Sequence, residues 1–219
     1  MPLTYAIGDI HGSLDKLRRL IAACREHAHG GPLNFVFLGD YIDRGSDSAG
    51  VLHLMLSLQV EFKERLIALK GNHEAWLLAV FDRDSPTMGW IRNGGAATLA
   101  SYAVKDVGEL PRAHLDWMRK LRLTYDDGRR LFVHAGVNPE RALDAQDESE
   151  LLWIREPFLS DGRGYGRLIV HGHTPLEEAV PDLRANRLNL DTGAVFGGPL
   201  TAAVFDDDQT EPLTFVQAF

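Results

Sequence analysis

The chain has 219 residues, 45% of them hydrophobic and 25% charged, which is enough for a substantial core and for one compact domain spanning 1–219. Its formal charge of -8 argues against sequence-blind binding to nucleic acid or to anionic membrane surfaces. Cys24 is the only cysteine, so an intramolecular disulfide and a cysteine-rich zinc site are both excluded, and Gly30 stands where a catalytic cysteine loop would need arginine.

The N-terminal MPLTYAIGD has no basic segment followed by an apolar core, and no apolar run reaches bilayer length, so a cytoplasmic protein is expected. TYAIGDIHG reads as a strand breaking into a polar loop. Behind it Ser13 can cap a helix with Leu14, Leu17, Leu20 and Ile21 on one face. NFVFLGDYIDRG repeats the pattern of strand and polar loop, and SDSAGVLHLMLSL follows as a helix. RLIALKGNHE is the third such run, leading into the helical HEAWLLAVFDR, and RAHLDWMRKL is amphipathic with Leu115, Met118 and Leu121 in register.

RLFVHAG and RLIVHGHT are the fourth and fifth apolar runs that end in Gly with His, Asp or Asn. Between them Ser160 to Gly166 is a surface loop. Strands with such ends belong to α/β sheets whose ligands gather at the carboxyl edge. RLNLDTGAVFGG, LTAAVFDDD and PLTFVQAF then read as successive strands. The expected fold is therefore two mixed β-sheets packed together with helices outside, rather than one doubly wound sheet.

If the five loops meet, they assemble Asp9, His11, Asp40, Asn72, His134 and one histidine of HGH. Oxygen and imidazole donors without thiolate suit manganese, iron or zinc, and the set is too large for one catalytic ion with open positions. Two divalent ions sharing the Asp40 carboxylate, roughly 3.5 to 4 Å apart, would satisfy it and suit in-line displacement at phosphorus. Asp43 and Arg44 would then serve the substrate.

GDIHG at Gly8 to Gly12, GDYIDRG at Gly39 to Gly45, GNHE at Gly71 to Glu74, HAG at His134 to Gly136 and GHT at Gly172 to Thr174 resemble, in order, the phosphoprotein phosphatase family of calcineurin-like metallophosphoesterases. With LLWIRE, RNGG and DTGAVFGG they look most like its short bacterial and phage lambda type, over Ile7 to about Phe205. The resemblance implies a calcineurin-like sandwich holding two metal ions, manganese first and iron or zinc otherwise. It implies Asp9, His11 and Asp40 on one ion and Asp40, Asn72, His134 and His173 on the other. His171 is left as structural, the two histidines of HGH being expected on opposite faces.

The resemblance also implies His73 as general acid with Asp43 as its partner, and Arg44 and Arg155 as a phosphate clamp. The implied reaction is direct attack of a metal-bridging hydroxide on phosphoserine or phosphothreonine, with phosphotyrosine open. A phosphorylated protein or peptide is the expected partner; nucleic acid and membrane are not. Alternatives are a dinucleoside tetraphosphate hydrolase and a non-catalytic metal-binding module. A nucleic-acid phosphodiesterase meets the acidic balance, and a purple acid phosphatase lacks a tyrosine ligand.

Other motifs take plainer readings. His27 and His29 are expected in solvent, His53 as a satisfied helix histidine, and His114 on a solvated face. Glu74 is read as a helix-start or ion-pair residue, and Asp206 to Asp208 as a turn. Asn93 to Gly95 is read as a flexible stretch near the cleft, and Asp191 as support for the ligands.

Overall fold

The structure is a computed structural model that describes residues 2–219. The first sheet has the order β10-β9-β1-β2-β3, and the second β4-β5-β6-β8-β7. In the first sheet β1 (Leu3–Ile7), β2 (Leu33–Phe37) and β3 (Leu66–Ala68) are parallel, while β9 (Leu200–Phe205) and β10 (Thr214–Ala218) are antiparallel additions. In the second, β5 (Arg130–Val133), β6 (Leu168–His171) and β8 (Arg187–Asn189) are parallel, edged by β4 (Thr124–Asp126) and β7 (Asp182–Leu183).

The helices are α1 (Leu14–His27), α2 (Ser48–Phe62), α3 (Asn72–Phe81), α4 (Thr87–Trp90), α5 (Ala96–Ser101), α6 (Arg112–Arg119) and α7 (Glu148–Trp153). Strand alternation assigns the layers. Tyr5, Ile7, Phe35 and Phe37 pack with Leu17, Leu20 and Met55 of the helices, whereas Ala6, Val36 and Leu38 join Phe132, Val170, Leu188 and Phe205 between the sheets. Leu131, Val133 and Ile169 face outward onto Leu151 and Phe158. The inner strands are therefore covered on both faces, which is why they read as unbroken apolar runs; each large side chain so buried contributes about 1.5–3 kcal/mol.

A buried arginine ties the two sheets. Arg130 donates to the Asp127 carboxylate (Nε to Oδ2, 2.7 Å) and to the Asp206 carbonyl (3.0 Å), and its guanidinium lies over the Phe205 ring. The cation is fully partnered, as burial requires.

Several expectations change. Ser13 occupies the cap position of α1, but its hydroxyl makes no capping bond. His114 is buried, bonded to the Tyr102 hydroxyl, while His53 is exposed and edge-on to it. The three late runs are successive strands as expected; RLNL joins the second sheet beside β6, and the chain then returns to the first. His29 is exposed as expected, but His27 is half-buried and bonded to the Tyr5 hydroxyl at 2.9 Å. Asp206 forms a turn, its carboxylate taking the N–H groups of Asp208 and Gln209.

Candidate active site

Every block of the sequence that carries polar groups lies just past a parallel strand: Asp9 and His11 after β1, Asp40 to Arg44 after β2, Asn72 after β3, His134 after β5 and His173 after β6. The backbone there is strained. His11, Asp40, Asp43, Arg44 and His173 all have φ between 46° and 71°, a region that costs a residue bearing Cβ roughly 1–2 kcal/mol. The surroundings hold it in place. The Glu74 carboxylate accepts the N–H groups of Asp40 (2.9 Å), Tyr41 (2.8 Å), Ile42 (3.3 Å) and Gly71 (2.9 Å). Glu74 therefore starts α3 and also clamps the Asp40 loop; burial pushes its pKa up to about 8. The Asp40 carbonyl in turn takes the N–H groups of Ile10 and His11.

Two compact groups of ligand atoms meet at Asp40, namely His11, Asp40 and His73, and Asp40, His134 and His173, each within 4.8 Å. The hydrogen bonds fix which ring nitrogens face the centre. His11 Nδ1 donates to the Ile42 carbonyl (2.7 Å) and His134 Nδ1 to the Leu38 carbonyl (2.9 Å), so both Nε2 lone pairs point inward. His134 Nε2 lies 2.8 Å from Asn72 Oδ1 and 3.5 Å from Asp40 Oδ1; His173 Nδ1 lies 3.0 Å from the same Asn72 oxygen.

Burial lowers the pKa of His134, and burial together with His134 pushes His173 down to about 3. The rings are thus neutral, and lone pairs of nitrogen, amide and carboxylate confront one another. His173 Nε2 is also buried without a partner. A cation relieves both problems, so the donor set fits divalent metal ions.

Asp9 sits beside these groups rather than within them, accepting the His173 N–H on both oxygens (3.2 and 3.1 Å). Burial, with Asp191 and Asp40 nearby, raises its pKa well above the usual carboxylate range. Asp191 is itself pushed up to about 6 by burial, and its Oδ1 accepts the Gly193 N–H.

His171 and His173 part for a different reason from the one expected. Residues i and i+2 of a continuous strand share a face. Here β6 ends at His171, whose ring packs on Phe158, and the left-handed His173 (φ 66°) turns its own ring towards Asn72.

His73 stands on the other side of Asp40, its Nδ1 2.7 Å from Asp43 Oδ2 and its Nε2 4.0 Å from Asp40 Oδ2. Asp43 is wholly buried and held by donors that sequence reasoning missed. Trp90 Nε1 donates to Oδ2 (2.7 Å), the Thr98 hydroxyl to Oδ1 (2.6 Å), and Ser48 lies 3.0 Å from Thr98. Burial works against a charged His73, but Asp40 and the Asp43 hydrogen bond outweigh it and its pKa rises above the ordinary value.

Arg44 is exposed; its Nη1 lies 2.6 Å from His11 Nε2 and its guanidinium faces the Phe196 ring. Arg155 is exposed just past α7 and has no ion-pair partner among the described residues. Asn93 to Gly95 packs tightly instead of supplying flexibility. The Gly94 carbonyl accepts the Arg44 N–H (3.1 Å), a Cβ on Gly94 (φ 117°) would lie 2.7 Å from that nitrogen, and Gly95 is pressed against Trp90. Asn93 itself donates to the Gly89 carbonyl.

Two packed sheets whose strand ends gather imidazoles and carboxylates around a cation-demanding centre define a metallophosphoesterase. Residues 3–202 match the Calcineurin-like phosphoesterase family, and the chain belongs to it. It is 31% identical over 208 residues to Serine/threonine-protein phosphatase 1 of Salmonella typhimurium, covering 91% of this chain and 90% of that one. It is 27% identical over 230 residues to the asymmetrical bis(5'-nucleosyl)-tetraphosphatase PrpE of Anoxybacillus flavithermus, covering 93% and 91%. A crystal structure provisionally named a diadenosine tetraphosphatase shares the fold with a TM-score of 0.74 at 23% identity, covering 100% of this chain and 96% of that one. Among the described residues no helix is long and apolar enough to cross a membrane.

Proposed function

We propose that this chain is a phosphoprotein phosphatase that hydrolyses phosphoserine and phosphothreonine, and phosphotyrosine as a further substrate, in a reducing cytoplasmic setting. The observation that carries the reading is the buried pair of His73 and Asp43, 2.7 Å apart, with Trp90 and Thr98 fixing the carboxylate. Such a pair is the means of delivering a proton to a poor leaving group. A serine or threonine alkoxide needs that proton, whereas the phosphate end of a nucleotide departs without one. The 31% identity to a serine/threonine phosphatase supports the same choice.

The residues take these roles. Asp9, His11 and Asp40 would hold one divalent ion, and Asp40, Asn72, His134 and His173 a second, with manganese proposed. Bound there, such ions supply Lewis acidity and activate water for attack at phosphorus. Arg44 and Arg155 offer guanidinium groups to the phosphoryl oxygens, whose charge builds as the ester bond stretches. The oxygen of water bonds to phosphorus and the bond from phosphorus to the side-chain oxygen breaks. The proton on His73 Nε2 passes to the departing oxygen, leaving the alcohol and inorganic phosphate. Asp43 keeps the Nδ1 proton in place throughout.

A second reading, hydrolysis of dinucleoside tetraphosphates, is favoured by the relative that is 27% identical over nearly the whole chain. The two are separated by stripping metal with a chelator, restoring manganese, and comparing kcat/KM for a phosphothreonine peptide and for diadenosine tetraphosphate. We expect the peptide to be preferred at least about tenfold, a threshold set below the roughly 10²- to 10⁴-fold that a positioned acid contributes. Preference for the dinucleotide overturns the proposal.

A further inference from the structure

A groove of about 500 Å³ that shares no residue with the active site opens beside β3, between the end of α2 and the end of α6. Its floor is apolar, formed by Leu66, Trp117 and Leu121, each no more than 9% exposed. Its rim carries three exposed cations, Lys63, Lys120 and Arg122, and one carboxylate, Glu64. Among the described residues none of the three cations forms an ion pair, although acidic side chains outnumber basic ones in this chain by 31 to 23.

Three backbone acceptors of the wall are already taken. The Gln59 amide donates to the carbonyls of Lys63 (2.9 Å) and Leu66 (3.3 Å), and the Arg122 N–H reaches that of Ala68. The groove therefore offers donors and positive charge around an apolar floor, in a molecule that is negative overall. Its complement is a ligand rich in anionic acceptors that also carries an apolar group.

We propose that this groove docks an acidic peptide segment of a partner protein, with one aliphatic side chain on the floor and carboxylates against Lys63, Lys120 and Arg122. A nucleic acid fits less well. The net charge of -8 repels a long polyanion, and the floor has no exposed ring on which a base would stack. The proposal does not depend on which phosphate ester the active site hydrolyses.

The test uses the full chain and an acetylated octapeptide of glutamate and aspartate with one central leucine, followed by calorimetry and tryptophan emission. One peptide should bind per chain. The double charge reversal Lys63→Glu with Arg122→Glu should weaken binding about tenfold or more, as should raised salt. Both positions are exposed, so hydrolysis of p-nitrophenyl phosphate should be unchanged and certifies the fold of the variant. Peptides with leucine replaced by serine, or with carboxylates replaced by amides, should each bind more weakly to the unaltered protein. Absence of binding, or binding indifferent to charge reversal, overturns the proposal. Equal binding by an oligonucleotide of the same charge overturns it in favour of a general polyanion site.

Discussion

Asp43→Asn isolates the charge of the partner carboxylate from its shape. The structure accommodates the amide. Its oxygen can take the place of Oδ2, accepting from Trp90 Nε1 and His73 Nδ1, both at 2.7 Å. Its NH₂ then faces Thr98 Oγ1, whose own proton can turn to Ser48 Oγ 3.0 Å away. No donor is left facing a donor, so the variant should fold. What is lost is a hydrogen bond to a charged group, about 1.5–3 kcal/mol, in exchange for a neutral one of about 0.5–1.5 kcal/mol. The net of about 1–2 kcal/mol converts to a fall of about 5- to 30-fold in the rate of alkoxide departure.

The assay is kcat/KM across pH for a phosphothreonine peptide and for p-nitrophenyl phosphate, whose leaving group hardly needs a proton. The peptide rate should fall by that factor and the aryl rate by less than about threefold. The sign of the pH effect follows from His73. Asp43 helps to raise its pKa, so active protonated enzyme is lost as pH rises through that value, and Asp43→Asn should move the alkaline fall to lower pH. Equal losses on both substrates, or an unmoved alkaline limb, would refute the assignment of His73 and Asp43 as an acid pair.

Glu74→Gln should contrast with this, because both Glu74 oxygens accept backbone N–H groups and either amide orientation sets NH₂ against two of them. A loss of about 2–4 kcal/mol is expected in denaturant unfolding, and a stability within about 0.5 kcal/mol of the parent would contradict the clamp. Gly94→Ala places a methyl 2.7 Å from the Arg44 nitrogen and should raise KM by displacing Arg44, at a stability cost of about 1–3 kcal/mol. Arg155→Met, at an exposed position without an ion pair, should leave the melting temperature within about 2 °C while raising KM for the phosphopeptide; an unchanged KM removes Arg155 from the clamp.

Much of the site was legible because each polar block follows a strand buried on both faces, so the same apolar runs that announce the strands also place the polar groups of the candidate site. Asn72, His134 and His173 come together from three separate strand ends for that reason. The support around Asp43 was not legible. Trp90 and Thr98 lie 47 and 55 residues further along, on helices whose apolar pattern gives no sign that one indole and one hydroxyl turn inward. His114 misled because Arg112 and Asp116 stand two positions to either side of it, while its ring is bonded to the Tyr102 hydroxyl. The sheet that β8 joins depends on pairing across the molecule, which local pattern does not carry.

Strain and burial divide the labour of the site. His11, Asp40, Asp43 and His173 sit in unfavourable backbone conformations and are almost wholly buried, so their geometry is set by the clamp of Glu74 and by strand ends, with little freedom to adapt to a substrate. Phosphoryl chemistry of one kind follows from such a centre whatever ester enters it. Selectivity must come from the groups that remain exposed around it. Trp153, 46% exposed and edge-on to His173, and Phe196, 65% exposed and facing Arg44, flank the centre with Arg155 nearby. Relatives with either named activity match this chain over about nine-tenths of its length, so a difference between esters is to be sought in the exposed rim rather than in the buried centre. The leaving-group dependence of His73 probes the centre, and substitutions at Trp153 and Phe196 probe the rim; only the second kind should change the ranking of substrates.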